Sequence, residues 1–148
     1  MAAEKGVLST VLKAMQRCVD ELDGVVSRLE RNPDLADYVR LNDQFHELLL
    51  DASQSSMLKR SLERLLVLPF AAPNAFVSLA EGDKASVRDI LKVSQEQHRC
   101  IVEAIANREG ARAGALTREH SRSAWKYLRL IFESGSAAAA PALSLIAR

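Results

Sequence analysis

Apolar residues recur at three- and four-residue steps along nearly all of this 148-residue chain, and no segment sustains two-residue alternation. That pattern is incompatible with a half-buried sheet. It predicts an all-α fold, an antiparallel bundle of about five to seven helices. The first stripe runs through Val7, Val11, Met15, Val19, Leu22, Val26 and Leu29, with Ser9 or Thr10 placed to cap it. Asn32-Pro33-Asp34 supplies a turn and a new cap, so a second helix is expected over about 34–52. Ser53 to Ser56 form a polar break before a third helix, which stops at Pro69.

The segment 69–83 is less regular; its short apolar run, Ala75 to Ala80, reads as a short helix or a covering loop. A fourth helix is expected from Asp83 or Ser86 to Asn107, and a fifth from Ala111 to about Glu133. The reversal Asn107-Arg108-Glu109-Gly110 is so tight that these two should be antiparallel neighbours. Residues 1–133 therefore read as one helical domain. Residues 134–148, rich in Ser, Gly and Ala, read as a flexible or short helical tail.

Charge narrows the function. Lys and Arg number 20 against 19 Asp and Glu, for a net charge of +1. Nucleic-acid binding by this segment alone would call for a clustered basic excess. No apolar run approaches the ~20 residues that span a bilayer, and the N-terminus lacks a secretion signal, so a cytoplasmic location is expected. Cys18 and Cys100 are then expected to be free thiols.

The chemistry is concentrated in three histidines, His46, His98 and His120, the only ones in the chain. On a helix, residues three, four and seven apart share a face. His46 then lies with Val39 and Leu49, His98 with Leu91, Ile101 and Val102, and His120 with Ala113, Leu116 and Ala124. Singly, each would be an ordinary core histidine. Together they all face inward, and His98 and His120 stand at similar distances from the 107–110 reversal, so their rings can meet across the bundle. Burying three imidazoles without partners is costly, and a metal ion removes that cost. Three imidazoles plus an oxygen from Asn42 or Asp43, one turn before His46, suit a divalent transition metal. Zinc is the first choice, with nickel, iron or manganese as alternatives.

The same residues resemble a known family. Asn42-Asp43-Gln44-Phe45-His46-Glu47-Leu48-Leu49, then Gln97-His98-Arg99-Cys100-Ile101-Val102-Glu103-Ala104-Ile105, and finally Glu119-His120 are similar to the FCD (FadR C-terminal) effector-binding domain of GntR-type transcription regulators. The resemblance implies a helical bundle with a buried metal that helps bind a small carboxylate effector. It also implies a homodimer and operator binding through a winged helix-turn-helix domain on the same polypeptide. It favours Asn42 over Asp43 as the oxygen ligand, although the family more often has Asp there, and Gln97 stands where Glu is commoner. The sequence reads as a truncated or divergent form without the DNA-binding domain. Thr117, Tyr127, Gln95 and Ser94 are the polar residues on the histidine faces placed to contact an effector.

Two functions fit this pattern. One is a sensor, in which acid binding at the metal shifts helix packing toward an attached DNA-binding domain. The other is a metal-dependent enzyme that activates water or dioxygen at the same histidines. The residues favour the sensor and no enzymatic activity, because no general base shares a histidine face.

Overall fold

A computed structural model of the chain describes residues 7–31, 34–66 and 84–133, with side chains over 7–31, 34–64 and 88–125. All the described secondary structure is helical: α1 (Ser9–Arg28), α2 (Ala36–Ala52), α3 (Ser56–Leu66), α4 (Lys84–Ala106) and α5 (Gly110–Glu133). The all-α bundle read from the hydrophobic period is therefore what forms. The expected short element at 75–80, the tail at 134–148 and the side chain of Tyr127 lie outside the described residues.

The helix ends that are described have local causes. Helix α1 starts without a side-chain cap, at Leu8. Neither Ser9 nor Thr10 caps it; the Leu8 carbonyl accepts the Leu12 N–H at 3.1 Å, and the exposed first turn leaves its remaining N–H groups to water. Before α2, Asp34 Oδ1 accepts the Ala36 N–H at 3.0 Å in a two-residue turn, but Asp34 is not the expected cap. The N-cap position falls on Leu35, which makes no side-chain cap bond. Ser55 Oγ accepts the Leu58 N–H at 3.2 Å and so caps α3. At the end of α4, Arg108 takes a left-handed conformation (φ 59°). The Glu109 N–H reaches back to the Ala104 carbonyl at 2.8 Å, and the Arg108 N–H to Ile105 at 3.1 Å. This pair of reverse bonds ends α4 and turns the chain into α5 within four residues.

Helix α1 packs along both α2 and α4, while α4 packs along α5. The shared core is built from Met15, Cys18 and Leu22 of α1, Tyr38, Leu41 and Phe45 of α2, and Leu91, Ile101 and Ala104 of α4. Burying each large apolar side chain stabilises the fold by roughly 1.5–3 kcal/mol. Cys18 is a core thiol: its Sγ donates to the Leu41 carbonyl at 3.3 Å, and burial pushes its pKa up to about 11. Both cysteines are free. Among the described residues, no helix is long and apolar enough to cross a membrane.

This packing decides what meets in the middle. Helices α2 and α4 share α1 as a neighbour, and the tight α4–α5 hairpin sets those two helices in antiparallel register. His46, His98 and His120 sit on those three elements.

Candidate metal centre

The three imidazoles converge. One ring nitrogen from each of His46, His98 and His120 lies within 4.8 Å of the others. His98 and His120 bring their Nε2 atoms to 3.2 Å of each other. The rings of His46 and His98 are 5.7 Å apart and nearly perpendicular, and those of His46 and His120 are 5.5 Å apart. His98 is fully buried and His120 is 8% exposed. Phe45, itself fully buried, lays its ring 4.1 Å from that of His98 and forms an apolar wall beside the cluster.

Burial sets the charge state. Desolvation, followed by repulsion from His120, pushes the His46 pKa down to about 3. Desolvation, then the two other histidines, holds His98 well below the usual range, and desolvation lowers His120. All three are neutral near pH 7 and keep a lone pair for a Lewis acid.

The outer nitrogens are held by two glutamines. His98 Nδ1 lies 3.2 Å from Gln95 Oε1, and His120 Nδ1 lies 3.0 Å from Gln97 Oε1. Gln97 Nε2 in turn donates to Ser123 Oγ at 3.1 Å. The Ser123 hydroxyl can donate as well as accept, so the Gln97 amide can present either end to His120. Without an ion, the His120 Nε2–H donates to His98 Nε2. With an ion bound, both Nδ1 atoms would donate to the glutamines and both Nε2 lone pairs would face it. Two nitrogens bonded at ~2.1 Å to one ion stand ~3.0–3.4 Å apart for angles between square and tetrahedral. The observed 3.2 Å falls in that window. The donor set suits a divalent transition metal, and the His98–His120 spacing matches one. The full span of up to 4.8 Å exceeds the ~4.2 Å that two bonds of ~2.1 Å can bridge, so the rings would draw together around an ion.

The remaining sequence-predicted residues divide by burial. Asn42 is 2% exposed and lies one turn before His46 on α2, whereas Asp43 is exposed and is not a member of the convergent group. Ser94 is buried one turn before His98. Thr117 Oγ1 donates to the Ala113 carbonyl of its own helix at 2.8 Å. Gln95, expected as an effector contact, has both ends of its amide engaged within the protein. The support given by Gln95 and Gln97 was not read from the sequence. Register counting about the 107–110 reversal would have placed Gln97 opposite His120.

The FCD domain family model matches residues 4–123, most of the chain and all three histidines. The chain belongs to the FCD family. A comparison of the sequence with curated proteins finds no match. FCD domains are effector-binding regulatory domains of GntR-family transcription regulators, so the cluster of histidines stands in a domain whose role is ligand sensing.

Neutral histidines with lowered pKa values give this FCD domain a signed pH dependence. Their folded pKa values lie below the unfolded value of about 6.5, so the unfolded chain binds more protons on acidification. In metal-free protein the stability is full above about pH 6.5 and falls as pH drops toward the folded values. From pH 7 to 5, His46 alone, held at about 3, accounts for a loss of about 2 kcal/mol. Urea unfolding of the wild type and His46→Gln at the two pH values checks this. The variant should lose less on acidification, and equal losses contradict the account.

Proposed function

We propose that this FCD domain senses a small organic acid at a divalent metal ion held by His46, His98 and His120, with the Asn42 side chain as oxygen donor. Zinc is the favoured ion. The observation that carries the reading is the convergence of three neutral imidazole nitrogens within 4.8 Å, His98 and His120 buried and His46 half-buried, inside a family of effector-binding domains.

The charge argument extends to the ligand. Three imidazoles and an amide contribute no negative charge, so a bound dication keeps its full charge in a low-dielectric interior. That favours an anionic partner such as a carboxylate. Ser94 and Thr117 lie on the histidine faces of α4 and α5 and are proposed to bond the effector's remaining oxygens, Thr117 by turning its hydroxyl away from the Ala113 carbonyl, with Tyr127 beyond them on α5. The metal supplies an electrophilic anchor for the acid. The protein's own groups orient it, exclude water and hold the imidazole protons on the outer nitrogens.

In this reading the domain works as a homodimer in the cytoplasm, and operator DNA is bound by an attached winged helix-turn-helix domain. The acid acts by favouring one helix arrangement over another, which requires it to bind the two unequally.

A thermal-shift screen of small mono- and dicarboxylates, run on zinc-loaded and chelator-stripped protein, tests the proposal. At least one acid at a hundredfold excess over its Kd should raise the zinc-loaded Tm by about 5–10 °C, with little effect on stripped protein and no consumption of the acid. Equal shifts in both forms, or none, contradict the sensor. Steady conversion of the acid points to the enzyme.

A further inference from the structure

We propose that Gln95 is a positioning residue that locks His98 in its metal-binding tautomer, and that through Val19 and Asp23 it ties the metal centre to helix α1. The inference rests on the metal reading above but concerns groups outside the ligand set.

The orientation of the Gln95 amide follows from its partners. Gln95 is 1% exposed, and its Nε2 donates to the Val19 carbonyl and to Asp23 Oδ1, each at 2.9 Å. A main-chain carbonyl can only accept, so the amide nitrogen has to be on that side. The amide oxygen therefore faces His98 Nδ1 at 3.2 Å. An amide oxygen can only accept as well, so Nδ1 must carry the imidazole hydrogen. A neutral imidazole has one such hydrogen, which leaves the His98 Nε2 as a lone pair directed at His120. The opposite tautomer would set the His98 Nδ1 lone pair against Gln95 Oε1 inside the core, whereas this one lets His98 Nε2 accept from a His120 Nε2–H.

The relay continues to the surface. Arg99 Nη1 donates to both carboxylate oxygens of Asp23 at 3.0 Å, while its Nη2 reaches Glu96 at 2.6 Å. Arg99, Gln95 and His98 belong to α4, whereas Val19 and Asp23 belong to α1, 76 and 72 residues from Gln95 in sequence. The Gln95 amide thus serves both as a bolt between two helices and as the orienter of a ligand. Displacing α1 frees the Gln95 amide to rotate and releases the His98 tautomer. By linkage, metal binding at His98 draws α1 against α4 to the same degree.

The test uses the full chain and zinc alone. In stripped protein, long-range ¹H–¹⁵N correlation of the imidazoles reads the tautomer directly; the wild type should show His98 protonated at Nδ1. In Gln95→Met, which keeps the length and loses the amide, His98 should shift toward Nε2–H. Its zinc affinity, measured against a chromophoric chelator, should fall about 10- to 100-fold. Asp23→Asn, at a partly exposed position, keeps an acceptor for Gln95 but loses the charge facing Arg99; zinc affinity should fall about threefold. Zinc-induced protection of α1 amides from hydrogen exchange should fall with it. An Nε2–H tautomer in the wild type, or a Gln95→Met variant with unchanged tautomer and affinity, overturns the lock. Unchanged affinity and α1 protection in Asp23→Asn overturn the tie to α1, including when Gln95→Met does not fold. A wild type that binds no zinc overturns the metal reading instead, and the tautomer still decides the lock.

Discussion

Replacing His98 with alanine should abolish the stabilisation that zinc gives this domain. At a metal concentration a thousandfold above Kd, binding to the native state alone is worth about 4 kcal/mol, or about 8–16 °C in Tm for a chain of this size. His98 is the hinge of the cluster. It is fully buried, meets His120 nitrogen to nitrogen, is oriented by Gln95 and rests against Phe45. Truncation removes one of three imidazole donors and leaves a void where the other two no longer converge on a common partner. The variant also loses intrinsic stability through the cavity, so the relevant quantity is the difference between zinc-loaded and stripped Tm values. That difference should be near zero in His98→Ala and large in the wild type. A zinc shift in the variant equal to that of the wild type would mean the ion binds elsewhere.

The second large effect concerns Phe45. Phe45→Ala should cost about 3–5 kcal/mol in urea unfolding, because a fully buried aromatic is lost from the junction of α1, α2 and α4. Phe45→Leu, which keeps most of the volume, should cost less than about 1.5 kcal/mol. The two differ at the metal site as well. The Phe45 ring lies 4.1 Å from that of His98, so alanine opens one side of the imidazole to rotation and to water. Zinc affinity should drop clearly in the alanine variant and stay within a few-fold of wild type in the leucine variant. A cost below 1 kcal/mol for alanine would contradict the packing described here.

Much of this was legible because helices announce themselves locally. The three- and four-residue apolar period, the Asn-Pro-Asp sequence at 32–34 and the reversal at 107–110 each act through near neighbours, and the helices form between those signals. The encounter of His98 and His120 followed from the same source: a tight hairpin converts sequence distance into height along two antiparallel helices. The site's finer divisions were not legible. Asn42 and Asp43 both lie within one turn of His46, and only tertiary packing, which buries the first and exposes the second, separates them. The role of Gln95 was hidden for a related reason. Its orientation is dictated by a backbone carbonyl at Val19, 76 residues earlier, and no pattern of side chains records where a carbonyl will point. Ser9 and Thr10 show the converse, since a good capping residue does not cap when the helix begins one residue before it.

The central claim is that three histidines from three helices hold one ion. It is tested most directly by elemental analysis of the full chain, expressed without added metal, desalted and compared with His98→Ala. The account predicts close to one equivalent of a divalent transition metal in the wild type and less than about a tenth of an equivalent in the variant. Less than a tenth of an equivalent in the wild type, persisting after incubation with zinc and desalting, would contradict it.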